Sequence, residues 1–104
     1  MVKTINEAQF NSEVTQSPVA LVDFFATWCG PCRMLSPVVE ALSEEFAGQV
    51  EFFKLDVDEA PELAAQFRVQ SIPCLVLLKN GQLAAQSVGF KPQAQLSQWI
   101  KGNL

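Results

Sequence analysis

The chain contains no histidine. That excludes imidazole as general base, nucleophile activator or metal ligand. Charge is also scarce. Only 17% of the residues are Asp, Glu, Lys or Arg, and the net charge is -4. This balance argues against a general nucleic-acid surface or an anionic-membrane surface. No apolar run approaches the roughly 20 residues of a membrane span. The opening residues, Met1 to Asn6, lack the long apolar core of a secretory signal, so the expectation is a cytoplasmic protein. Cysteine is sparse too, with three in the chain. Without a signal segment they fit a reducing compartment and a redox role better than a structural disulfide framework. There is no repeat, low-complexity stretch or linker.

What is present is a folding composition. Of 104 residues, 49% are hydrophobic. That is enough for one compact domain, residues 1–104, around a single core. The centre of the pattern is Asp23-Phe24-Phe25-Ala26-Thr27-Trp28-Cys29-Gly30-Pro31-Cys32. The apolar run Val19 to Ala26 reads as a central strand. After the cysteines, Leu35, Val38, Val39, Leu42 and Phe46 fall on one face of a helix. A Cys-x-x-Cys pair has two readings, a redox dithiol or half of a metal site. Its place at a strand-to-helix junction favours the first. Unpaired amides and the helix dipole there stabilise an anion, and a Cys29 thiolate is such an anion. A metal site needs four ligands, and this chain offers three thiols and no histidine.

The other elements follow from local signals. Val2 to Ile5 reads as a short strand. Asn6 and Gln9 form a weak capping box, with Phe10 and Val14 as the buried face of the helix that follows. Gln16-Ser17-Pro18 ends that helix. Pro37 either kinks the long helix or begins a new one. Gly48 marks its end. Val50 to Val57 is a strand, and Pro61 opens a short helix bearing Leu63 and Phe67. Cys74 to Lys79 and Gln82 to Val88 are strands joined by Asn80-Gly81, a strong hairpin signal. Leu96, Trp99 and Ile100 give the face of a last helix, which stops at Gly102. The expected class is α/β, a central mixed β-sheet with helices on both faces.

Trp28-Cys29-Gly30-Pro31-Cys32, Asp23 upstream and Ile72-Pro73 downstream resemble the thioredoxin family, over essentially the whole chain. The resemblance implies the thioredoxin fold and a protein-disulfide reductase. Cys29 is the expected nucleophile and Cys32, expected to be more buried, the resolving thiol. Helix N-termini lower cysteine pKa values to about 3.5–7.5, a range that includes thioredoxins themselves. Cys29 thiolate would form a mixed disulfide with a protein substrate, and Cys32 would release the substrate reduced. A separate thioredoxin reductase would restore the dithiol. No cofactor or metal is implied, and a monomer is expected. Asp23 reads either as a proton acceptor for Cys32, directly or through a water, or as an edge-facing or capping aspartate. Lys54 matches a family lysine near it, or is a surface lysine on a strand. The family implies a cis bond at Ile72-Pro73. Trp28, Gly30, Pro31, Ile72, Pro73 and Gly89 would line a groove for an extended substrate segment. The same groove allows a different role, a scaffold that binds a partner without turnover. Three residues depart from the family pattern: Phe25 for tryptophan, Arg33 for lysine and Cys74 for threonine. Alternation along the strand would turn Cys74 away from the pair into the core.

Overall fold

The structure, a computed structural model, describes residues 1–104. Strand β1 (Val2–Thr4) leads to helix α1 (Glu7–Gln9), which continues through a wide-turned segment, Phe10–Val14. Asn6 and Gln9 form the capping box: the Gln9 amide donates to the Asn6 side chain at 2.9 Å, and the Asn6 amide donates to the Gln9 side chain at 3.0 Å. Strand β2 (Val19–Phe25) is followed by the long helix α2 (Gly30–Glu45). Then come β3 (Glu51–Asp56), α3 (Pro61–Gln66), β4 (Cys74–Lys79), β5 (Gln82–Val88) and α4 (Gln93–Gly102).

The five strands form one mixed sheet in the order β1-β3-β2-β4-β5. β1, β3 and β2 run parallel, while β4 and β5 are antiparallel additions. Asn80 and Gly81 turn the hairpin with φ of 53° and 78°. Both angles positive is what a tight two-residue hairpin requires.

Alternation along β2 explains why helices cover both faces. Ala20, Val22 and Phe24 pack with Phe10, Val14, Leu63 and Phe67 on one face. Leu21 packs with Leu35, Val39 and Leu42 of α2 and with Leu96 and Ile100 of α4 on the other. A strand buried on both sides must be apolar at nearly every position, as this one is. The exception is Asp23. It shares the parity of Leu21 and so faces α2.

One detail differs from the expectation. Helix α2 begins at Gly30, so Cys32 lies within its first turn rather than ahead of it. Pro37 lies inside the same helix, as the first of its two readings has it, and does not start a second one. Its missing amide leaves the Arg33 carbonyl without its ordinary helical partner. The apolar face on either side holds the helix together across that gap.

Candidate active site

The site sits where β2 ends and α2 begins. Cys29 is the N-cap of α2, and the amide of Cys32 donates to Cys29 Sγ at 3.2 Å. An N-cap side chain ordinarily supplies an oxygen to this orphan amide; here a sulfur does so. The two cysteines form a disulfide with Cα atoms 5.3 Å apart. They pack with Ala26, and with the partly buried Phe25, Val57 and Ile72. Each is 5% exposed. The expectation that Cys32 is the more buried of the two is therefore not met. Both lie in the same short turn, which shields them equally in the oxidised form.

Asp23 is 4% exposed, and its Oδ1 has no hydrogen-bond partner. It is neither an edge-facing residue nor a cap. Burial raises its pKa to about 7, against a smaller lowering by Lys54. Asp23 and Lys54 are direct neighbours across β2 and β3. The Lys54 ammonium does not close on the carboxylate. It lies over the Phe25 ring, 5.6 Å from the centroid. Asp23, Lys54 and Cys32 line one cavity of about 240 Å³, together with Phe25, Ala26, Thr27, Arg33 and Ser36. The strands and α2 thus bring the buried acid and the second thiol to a common space.

The second half of the site comes from the β4 end of the sheet. The Ile72-Pro73 bond is cis, as the resemblance implied. The amide of Gly89 donates to the Pro73 carbonyl at 2.8 Å, which ties the end of β5 to this loop. Gly89 has φ of 87°, a conformation that favours glycine. Trp28 is 67% exposed, and its Nε1 donates to Asp58 Oδ2 at 2.8 Å. Cys74 faces the opposite side of the sheet, in the core with Phe24 and Phe67, and is 1% exposed. Burial raises its pKa, as does the charge of Asp23, with Lys91 acting the other way.

The thioredoxin family model matches residues 1–102. The thioredoxins of Staphylococcus aureus strains Mu50, N315 and COL are each 46% identical to this chain over 100 residues, covering 96% of it and 95% of the relative. The chain belongs to the thioredoxin family. It is a thiol–disulfide oxidoreductase, and the Cys29–Cys32 pair carries out the dithiol–disulfide exchange of a protein-disulfide reductase.

Two contributors escaped the sequence reading. Asp58 anchors Trp28 from 30 residues away. No local pattern signals that contact. Ser36 lines the cavity beside Cys32. It stands one turn beyond Cys32 on the same helix, so i, i+4 spacing signals it once α2 is known to start at Gly30. No group of three or more Cys, Asp or Glu side chains is placed to hold a metal ion.

Proposed function

We propose that Cys29 is the attacking thiol, that Cys32 resolves the mixed disulfide, and that Asp23 takes the Cys32 proton. The observation that carries this reading is the cap of α2. The sulfur that accepts an amide at a helix N-terminus is the one whose negative charge the helix stabilises. Cys29 holds that position, and Cys32 sits inside the helix beside a buried carboxylate. When Cys32 loses its proton, its sulfur attacks Cys29 Sγ. The bond from Cys29 to the substrate breaks, and the substrate leaves with both electrons as a thiol. Lys54 limits the rise in the Asp23 pKa and so keeps part of it ionised near neutrality.

Trp28, Gly30, Pro31, Ile72, Pro73 and Gly89 form the substrate groove in this reading. Gly30 supports it from an unusual direction. A Cβ there would meet nothing nearer than Arg33 Nη2 at 3.9 Å. Beyond its own turn of helix, nothing in the chain crowds a side chain at that point, and in this reading the space belongs to the substrate segment. Disulfide-bearing proteins are the substrates and a thioredoxin reductase is the electron source. The protein acts as a monomeric single domain over 1–104, in the cytoplasm, without cofactor, nucleic acid or membrane. No helix is long and apolar enough to cross a membrane.

The test is reduction of insulin disulfides, with NADPH and a thioredoxin reductase as electron source. The expected result is catalysed precipitation of the insulin B chain, lost in Cys29→Ser. No acceleration over reductase alone overturns the proposal.

A further inference from the structure

We propose that Ser36 is a positioning residue for resolution, its hydroxyl holding water in the cavity that links Cys32 and Asp23 to solvent. The inference rests on Asp23 as the proton acceptor and adds how the proton travels. Asp23 and Cys32 are 4% and 5% exposed, so neither exchanges protons freely with bulk water. Both line the one cavity, whose volume of about 240 Å³ far exceeds the space a single water needs. Water stays in a cavity when it finds two to four polar partners. Asp23 Oδ1 is one, because it is buried and otherwise unpartnered. Ser36 Oγ is another. Ser12, Ser17 and Ser43 bond back to carbonyls three or four residues earlier in their own segments. Ser36 lines the cavity and makes no such bond, so its hydroxyl is available to water there. It is exposed, while Asp23 is not, so Ser36 stands at the outer end.

The Cys32 S–H gives its proton through cavity water to the Asp23 carboxylate. The Cys32 sulfur bonds to Cys29, and the Cys29–substrate bond breaks with its electron pair going to the substrate sulfur. Asp23 then returns its proton to solvent past Ser36. The charged and titratable groups around Asp23 are Lys54 from β3, Cys32 and Arg33 from α2, and Cys74 from β4 on the reverse face. Arg33 also lines the cavity, and one of its guanidinium nitrogens donates to the Thr27 carbonyl at 3.0 Å.

The experiment is a single turnover of the reduced protein with a short cystine peptide. Acid quench and intact mass follow decay of the Cys29 mixed disulfide, in H₂O and in D₂O. Ser36→Ala should slow that decay about three- to ten-fold, the effect of losing one well-held bridging water, and enlarge the solvent isotope effect. Ser36→Thr, which keeps the hydroxyl, should restore both. If Asp23→Asn slows decay while Ser36→Ala matches wild type, the inference is overturned and the acceptor role of Asp23 stands. If Asp23→Asn decays at the wild-type rate, the acceptor role is overturned, and the inference falls with it.

Discussion

At Asp23, desolvation outweighs the attraction of Lys54, and the carboxyl titrates at about 7 in place of 3.8. A rise of about three units corresponds to roughly 4 kcal/mol between the two protonation states. The native state binds more protons than the unfolded state between about pH 4 and 7. Stability is therefore full below that window, falls as pH rises through it, and is constant above it. Asp23→Asn removes the charge but buries an amide without a ready partner, which costs about 1–3 kcal/mol. The variant should be roughly 1–3 kcal/mol more stable than wild type at pH 8, and no more stable at pH 4. Urea midpoints at the two pH values check this. An equal effect at both would mean the carboxyl does not titrate in the window. The oddity of an acid within Val19–Ala26 was legible in the sequence. Its lack of any partner was not, because that depends on where Lys54 and Cys32 point.

The decisive element is the first turn of α2. Gly30 and Pro31 occupy its opening positions, and Cys29 caps it through sulfur. Proline needs no amide partner there and has the right φ, so the turn costs little. Gly30 is different, because alanine is the better helix former by up to about 1 kcal/mol. Gly30→Ala should thus fold at least as stably as wild type. If the groove is read correctly, KM for insulin should rise about five-fold, equivalent to roughly 1 kcal/mol of lost approach. Steady-state reduction assays alongside thermal melts separate the two effects; an unchanged KM would remove Gly30 from the groove. The element order was readable because each boundary has a local cause, such as the Asn6 box, Pro61 or Asn80-Gly81. The start of α2 was misplaced because a sulfur cap carries no established sequence signal, unlike Ser, Thr, Asp or Asn.

Across the whole molecule, the double-sided burial of the sheet gives the three thiols two separate environments. Cys29 and Cys32 lie at the end of β2 beside a cavity, while Cys74 lies beneath the other face with Phe10, Phe24 and Phe67. Strand parity was enough to foresee this separation. The pairing of Trp28 with Asp58 and the cavity behind Cys32 were not foreseeable, since both arise from chain packing between distant segments. In the oxidised protein, iodoacetamide should label Cys74 at least about 100-fold more slowly than in urea, because labelling requires the core to open. Rapid native labelling would instead expose a third reactive thiol. The central claim, however, is the division of labour within the pair. It is tested most directly by incubating Cys29→Ser and Cys32→Ser variants with disulfide-bearing protein substrates and measuring intact mass. The account predicts that Cys32→Ser accumulates substrate joined through Cys29 and that Cys29→Ser accumulates none. Stable complexes on Cys32 in the Cys29→Ser variant, with none in Cys32→Ser, would contradict it.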